Sequence, residues 1–475
     1  MIPPRFEPVL AEVAPLAARF REAGFRLYLV GGTVRDLLSG DAAIDLDHLD
    51  FDFTTDAVPA DTKRLLAGWA DAVWTQGERF GTIGAKRLVD GVDRTYEITT
   101  HRAEAYQPDS RKPEVAFSDR VEADLSRRDF TINAMALEVT SDSPTLVDPF
   151  GGAADLVGRV LRTPIGVHES FSDDPLRMLR AARFIAALNL TPDPALVAAV
   201  KNMADRLEIV SRERIQAELD RLIVLDHPTA GLWFLVDTGL AHHFFPELPA
   251  MSLEQDPIHR HKDVLTHTFA VVENVRPDAH PDFDFRRTRL AALFHDIGKP
   301  KTRSIRKGKG ITFHHHEVVG ARMTRERMKA LKYSTEDVDA VTSLVELHLR
   351  FHTYSMGWTD AAVRRYVRDA GPLLAELNVL TRCDCTTRNE KKAMMLSRRM
   401  DELESRIDEL AAQEQLAAMR PELDGLAVMT LLDLKPGRDV GRALDFLMEV
   451  RLEEGLLGEE EITRRLRDWW STQSA

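Results

Sequence analysis

Between Leu27 and Thr55 the chain makes its strongest demand on any fold. The apolar run Leu27-Tyr28-Leu29-Val30 stops at Gly31-Gly32, Arg35 follows, and further on comes Asp50-Phe51-Asp52-Phe53-Thr54-Thr55. The run has the length of a buried strand. At the glycines no side chain keeps a phosphate away from the backbone. Val34, Leu37 and Leu38 then recur at helical spacing, so a helix begins there and the free N–H groups of its first turn face whatever lies over Gly31 and Gly32. An anion is the natural guest, and the forked guanidinium of Arg35 suits a triphosphate better than an ammonium would. Alternation along the second strand puts Asp50 and Asp52 on one face. Two hard oxygen ligands side by side suit Mg²⁺, which usually reaches a protein through one or two carboxylates plus substrate phosphates. A glycine pair alone more often marks a tight turn, and a lone Asp-x-Asp is usually solvated. In this order on two strands they read as the halves of one metal–phosphate site. Asp45 and Asp47, in the insert before the second strand, form a competing pair by spacing.

A chain of 475 residues exceeds one ordinary core, so two to four domains are expected. No apolar run approaches a membrane span, and the N-terminus has no basic-then-apolar signal layout, so a cytosolic protein with no membrane partner is expected. Cys383 and Cys385 are the only cysteines, which excludes a disulfide framework. The formal charge of −13 argues against indiscriminate polyanion binding, so an RNA partner has to meet local basic patches.

Phe6, Val9, Leu10, Val13, Leu16, Ala17 and Phe20 predict a packing helix leading into the glycine strand. A second helix is expected from Pro59 to Ala72, then short strands near 72–75, 82–88 and 95–98. Glu97 in the last strand is either a third carboxylate near the metals or a surface residue paired with Arg102. Residues 101–117, polar with two prolines, read as a mobile loop. In Leu125-Ser-Arg-Arg-Asp-Phe-Thr-Ile-Asn-Ala, the polar Arg127, Arg128, Asp129 and Asn133 interrupt a stretch that otherwise looks buried, and such groups are costly without a bonding partner. Beyond Asp155 the pattern is helical to the end.

Ser172-Asp-Asp-Pro-Leu-Arg reads as a helix start with an N-cap serine and acids in the first turn. Asp174, Arg177, Arg180 and Arg183 follow at steps of three, so a carboxylate and forked donors share one helix face. That set can bond the Watson–Crick edge of a base. A solvated salt-bridge ladder is the plain alternative. Ser211-Arg-Glu-Arg-Ile-Gln-Ala-Glu-Leu219 reads as structural.

A second constellation is His267, His295-Asp296 and Asp384, with the apolar run Leu290–Phe294 delivering the His-Asp pair. Imidazole with carboxylate suits a divalent transition metal or Mg²⁺ better than a closed structural zinc site. His314, His315, His316 and His348 are further possible ligands. Lys299–Lys309 is a basic, glycine-containing segment, read either as an RNA-backbone contact or as a solvated turn between strands.

LVGGTVRDLLSG followed by DFDFTTDAVP resembles the nucleotidyltransferase superfamily with a polymerase-β type of site, and within it the class II CCA-adding tRNA nucleotidyltransferases and bacterial poly(A) polymerases. The linker before Asp50 is longer than the family's usual one, and Thr54, Thr55, Asp56 and Pro59 after it select Asp50 and Asp52 over Asp45 and Asp47. The resemblance implies that Arg128 and Asp129, in RRDFTINA, contact the sugar and phosphates of the incoming nucleotide. It further implies that residues 101–117 are the family's flexible loop, and that Asp174 and Arg177 lie in an EDxxR-like template that selects CTP and then ATP, here with Asp173 as the first acid. The H…HD…D order of His267, His295-Asp296 and Asp384 resembles HD-domain metal phosphohydrolases. An α+β chain is expected: a nucleotidyltransferase head with a small mixed sheet over 1–154, a helical neck over 155–250 that binds RNA and the base, an HD domain over 251–400, and a helical tRNA-binding tail over 401–475. The implied activity is template-independent addition of CCA to a tRNA 3′ end from CTP and ATP, with two Mg²⁺ ions on Asp50 and Asp52. Poly(A) polymerase, a split A- or CC-adding enzyme, and an HD phosphohydrolase with a degenerate head are the alternatives.

Overall fold

The computed structural model describes residues 3–40, 49, 51–105, 114–253, 263–306, 310–353, 358–387, 389–414 and 420–473. Asp45, Asp47, Asp50 and the centre of the 101–117 segment lie outside them. The described chain forms two compact units, residues 1–244 and 245–475.

In the first unit α1 (Glu7–Glu22) leads into β1 (Leu27–Val30), α2 (Gly32–Ser39), β2 (Phe51–Thr55), α3 (Pro59–Leu66), β3 (Ala72–Trp74), β4 (Thr82–Val89) and β5 (Val92–Thr100). There follow β6 (Arg102–Ala105), β7 (Glu114–Phe117), α4 (Val121–Ser126), β8 (Ala136–Glu138) and β9 (Thr145–Val147). Seven strands make one mixed sheet in the order β3-β4-β5-β2-β1-β8-β9. Within it β2 and β5 run parallel, whereas β1 is antiparallel to both β2 and β8.

The continuous apolar composition of β1 follows from its central place, since a strand covered on both faces needs no polar alternation. Leu27 and Leu29 join Phe6, Val13, Leu16, Phe20, Phe51, Phe53 and Tyr96 in the main core. Tyr28 and Val30 join Val121, Leu125, Ala134 and Ala136 on the other face. On β2, Phe51 and Phe53 are buried and Asp52 is exposed, so the period of two points the carboxylate away from the main core. The expected loop over 101–117 instead begins and ends as strands, with Arg102 opposite Phe117 in the β6–β7 pair.

The helices α5 (Gly152–Val157), α6 (Val167–Asp173), α7 (Arg177–Leu188), α8 (Pro194–Met203), α9 (Arg212–Ile223) and α10 (Thr229–Asp237) complete this unit. Here the structure corrects one expectation. Ser172 does not cap the arginine helix but lies within α6, and Asp174 sits at a break with φ −142° and ψ 101°. Pro175 explains the break, because the residue before a proline is pushed out of the helical region. Asp174 therefore stands at the mouth of α7, not on its face, and its Oδ1 accepts from the Leu176 N–H.

The second unit contains α11 (Glu247–Ala250), α12 (Val264–Asn274), α13 (Phe285–Phe294), α14 (Lys299–Thr302), β12 (Ser304–Arg306), β13 (Gly310–Thr312), α15 (His316–Ala330) and α16 (Thr335–Leu347). It continues through α17 (Arg350–Thr353), α18 (Asp360–Ala370), α19 (Leu374–Asp384), α20 (Glu390–Glu414), α21 (Gly425–Leu432), α22 (Arg438–Glu454) and α23 (Glu459–Gln473). The described part of the basic segment after Gly298 is thus one helical turn followed by β12, which pairs antiparallel with β13. The last three helices share a cluster of their own built on Val428, Ala443, Leu447, Ile462 and Leu466. Among the described residues no helix is long and apolar enough to cross a membrane.

Candidate active site and metal centre

A cleft of about 640 Å³ in the first unit is lined by Asp52, Glu97, Arg128, Asp129, Asp174, Arg177 and Arg180, among others. The sheet contributes the acids. Asp52 of β2 is the register partner of Glu97 on β5, both are exposed, and in a parallel pair such partners project to the same face. The carboxylate that spacing left ambiguous thus stands beside the one it singled out. Exposed hard oxygens in a polar cleft are donors that fit a divalent metal.

Gly31 brings the phosphate side of the site close to these acids. Its φ of +77° is reserved for glycine, and a Cβ there would meet Arg128 Nη1 at 3.4 Å and Asp52 Oδ2 at 3.6 Å. Gly32 opens α2, as the sequence predicts. Arg35 is turned aside from the cleft lining: Nη1 donates to Asn133 Oδ1 at 2.7 Å, and Nε and Nη2 donate to the Asp36 carboxylate.

Arg128 is oriented from behind by Asp124, a residue that sequence reasoning missed. This fully buried carboxylate accepts from Arg127 at 2.7 Å and from Arg128 at 3.4 Å. Burial alone would raise its pKa, and the two guanidinium groups override that and hold it below the usual carboxylate range. The spacing of three and four residues on a helix was the available signal.

Asp129 has an internal role as well as a place in the lining. It accepts from Arg180 Nε at 2.8 Å and Nη2 at 2.6 Å, and from Asn133 at 3.1 Å. Burial opposes its ionisation, and the Arg180 charge with the Asn133 hydrogen bond lowers its pKa nonetheless. Glu218 of α9, also buried, takes Arg183 at 2.8 Å, Arg221 at 2.9 Å and Arg180 at 3.4 Å. Arg183 is thereby committed to Glu218 and is not among the residues lining the cleft. These ion pairs link α7, α9 and the Asp129 turn, in keeping with the structural reading of Ser211–Leu219.

Arg177 is buried at the cleft wall, where Nη1 donates to Ser170 Oγ at 2.8 Å and Nη2 to the Arg127 carbonyl. Asp174 Oδ2 accepts from Arg214 at 2.6 Å, a partner that the sequence reading did not assign. The two template candidates therefore share the cleft although only Arg177 lies on α7.

In the second unit His267, His295, Asp296 and Asp384 converge as expected. His267 Nε2 is 2.9 Å from Asp384 Oδ1, and His295 Nε2 is 3.2 Å from Asp296 Oδ2. Of the three consecutive histidines, His314 and His315 are exposed and His316 is buried. His316 and His348 group with Asp296 as a trio with metal-ligand spacing, and His267, His295 and Asp384 form another. The rings are held in one tautomer-setting fashion: Nδ1 of His295, His316 and His348 each faces the carbonyl three residues back, leaving Nε2 for the centre. Burial and the neighbouring His295 push the His348 pKa down to about 3, so it is neutral, as a ligand must be. Asp296 Oδ1, His316 Nε2 and His348 Nε2 are buried with no hydrogen-bond partner. Polar atoms so placed are costly unless something else binds them, and a divalent cation fits this donor set.

Comparison with known proteins places the two regions in known families. Residues 27–162 match the poly(A) polymerase head-domain family, 189–251 the family described as a probable RNA- and SrmB-binding site of polymerase A, and 264–389 the HD-domain family. An A-adding tRNA nucleotidyltransferase of Deinococcus radiodurans is 33% identical over 453 residues, covering 94% of this chain and 96% of that protein. A CCA-adding enzyme of Streptococcus pneumoniae is 36% identical over 253 residues, which is 53% of this chain and 58% of the relative. Among solved structures, the Bacillus stearothermophilus CCA-adding enzyme in complex with CTP superposes with a TM-score of 0.65 at 23% identity, over 99% of both chains, and so shows the fold.

Proposed function

Because the chain belongs to the family of CCA-adding tRNA nucleotidyltransferases that carry an HD domain, we propose that it extends tRNA 3′ ends in the cytoplasm, adding C, C and A from CTP and ATP without a nucleic-acid template. The observation that carries this reading is one cleft in which acids on a sheet face guanidinium groups from a helical neck. Acids suit metal-assisted attack, and fixed arginines suit phosphate and base.

In this proposal the tRNA 3′-oxygen attacks the α-phosphorus of the nucleotide, the bond to the β-phosphate bridging oxygen breaks, and pyrophosphate leaves. Asp50 and Asp52 would hold two Mg²⁺ ions, with Glu97 beside Asp52, and when bound these ions acidify the 3′-hydroxyl and neutralise the phosphates. The first turn of α2 at Gly31 and Gly32 offers N–H donors to the triphosphate. Arg128, aimed by Asp124, is assigned to the sugar and phosphates, with Arg35 an outer contributor. Asp174 and Arg177 are assigned to the base, and Asp129, Arg180 and Arg183 to holding the cleft wall that presents them.

The test is incorporation of labelled CTP and ATP, separately and together, into a tRNA transcript lacking its CCA end, with Mg²⁺ present. Two C and one A are expected. Long tails of A would reassign the chain to poly(A) polymerase. The match to an A-adding enzyme along nearly the whole chain favours a second reading, addition of the final A alone. It requires that ATP be used only on a transcript already ending in CC.

A further inference from the structure

Four residues form one row across the sheet of the first unit. Asp52 on β2 is the register partner of Glu97 on β5, Glu97 is that of Gly84 on β4, and Gly84 is that of Trp74 on β3. Register partners project to the same face, so the row runs from the acids of the cleft to an indole. Gly84 contributes no side chain, and the ring of Trp74 takes that space: a Cβ there would meet Trp74 Cε2 at 2.0 Å, Nε1 at 2.1 Å and Cζ2 at 2.5 Å. The indole therefore lies on the backbone of β4, and it stays half-buried. Thr82, two residues before Gly84 and on the same face, lines the cleft. So does its register partner Thr99, with the two hydroxyls 2.9 Å apart.

The sheet order gives this row a direction. Gly31, to which the triphosphate is assigned, follows β1 on one side of β2, whereas β5, β4 and β3 succeed one another on the other side. Attacking and leaving oxygens stand in line across the transferred phosphorus. With pyrophosphate leaving over the β1 turn, the acceptor oxygen comes from the side of β5 and β4. Neighbouring strands lie about 4.8 Å apart, so a ring over Gly84 is two strands, or about 10 Å, from Asp52. One nucleotide reaches that far.

We propose that Trp74 is the stacking platform for the 3′-terminal base of the acceptor RNA, with Thr82 and Thr99 facing its sugar. The inference rests on reading the cleft as a nucleotidyltransferase site, and it assigns the side that Asp174 and Arg177 leave open. An indole face takes any base, because every base has a π-face, and it reads no hydrogen-bond pattern. That suits an acceptor whose terminal base is not the same at every step of addition. Aromatic cover also stabilises a strand glycine in its own right. Cover alone gives Trp74 no part in telling a base-bearing acceptor end from a bare one.

The experiment uses the full chain and a tRNA lacking its CCA end, ligated so that its terminal nucleotide is either ordinary or abasic. Single-nucleotide extension is followed with CTP, or with ATP on an acceptor ending in CC if only A is added. The abasic end is expected to lower kcat/KM for the acceptor about tenfold in the unaltered chain, a readout that needs no variant to fold. Trp74→Ala should lose about the same factor on the ordinary end and nothing further on the abasic one. Trp74→Phe should recover most of the loss, and the KM for the nucleoside triphosphate should not move in either variant. Equal extension of both ends by the unaltered chain overturns the stacking site. An equal loss on both ends in Trp74→Ala reduces Trp74 to a cover for Gly84. No extension of either end by the unaltered chain overturns the nucleotidyltransferase reading itself, and the platform with it.

Discussion

Asp52 on β2 and Glu97 on β5 are direct register partners in a parallel strand pair, and both side chains reach the same cleft. The neighbouring pairs, Phe51 with Tyr96 and Phe53 with Ile98, are buried on the opposite face. The acids cannot slip against each other without pulling aromatic residues from the core. Glu97→Gln, which keeps the volume and removes the charge, is expected to raise the Mg²⁺ concentration needed for nucleotide incorporation. It should lower the rate at least about tenfold, roughly 1.4 kcal/mol of transition-state stabilisation. A Mg²⁺ titration of incorporation with unchanged midpoint and plateau would take Glu97 out of the metal site.

Gly31→Ala combines backbone strain with a methyl group placed in contact with Arg128 and Asp52. At φ +77° and ψ −140° any other residue is strained by about 1–3 kcal/mol. The added methyl also meets Arg128 Nη1 at 3.4 Å. Thermal unfolding of the head should move down, and the apparent KM for nucleotide should rise because the added carbon stands where a phosphate would approach the backbone. A variant with unaltered KM would argue that the triphosphate does not lie over this turn.

Arg177→Ala should blur the choice among CTP, ATP and UTP more than it slows transfer of a correct nucleotide. The variant also leaves Ser170 Oγ and the Arg127 carbonyl without their buried donor, at a stability cost of about 1–3 kcal/mol. Selectivity measured at a temperature where the variant stays folded separates the two effects. An unchanged ratio of incorporation would confine Arg177 to a structural clamp.

His101 gives the head a pH dependence of known sign. The ring is fully buried, its Nδ1 pairs with Thr54 Oγ1 at 2.8 Å, and its Nε2 has no hydrogen-bond partner. Burial lowers its pKa most, Arg26 lowers it further, and Asp124, Asp56 and Glu122 oppose the shift without overcoming it. The unfolded ring, with its pKa at about 6.5, therefore binds a proton that the folded one refuses. Stability should rise with pH through that value and be lost progressively as pH falls below it. His101→Gln is expected to flatten this segment of the stability–pH curve, as followed by urea denaturation at pH 5 to 8. A curve that keeps its slope in the variant would assign the dependence to another group.

Local chemistry carried much of this protein into view from its sequence. The run Leu27–Val30, the turn at Gly31 and the helix after it are set by residues adjacent in the chain, so periodicity and glycine punctuation suffice to place them. The same holds for the helix ending in Phe294 that delivers His295 and Asp296. A proline's effect on the residue before it is equally local, and weighing Pro175 more heavily would have placed the break at Asp174. Motifs of this kind also carried the resemblance to the nucleotidyltransferases.

What periodicity leaves open is which polar groups meet across long separations. Glu97 became a partner of Asp52 only through the register of β2 on β5. Among three consecutive histidines, the backbone turn at His315, with φ +59°, exposes the first two and sends His316 inward to Asp296. Asp129, Arg180, Arg183 and Glu218 have equal claims to ligand or scaffold by composition. Their assignment to one another is decided by burial, because an ionised side chain withdrawn from water must find its counter-charge within the fold.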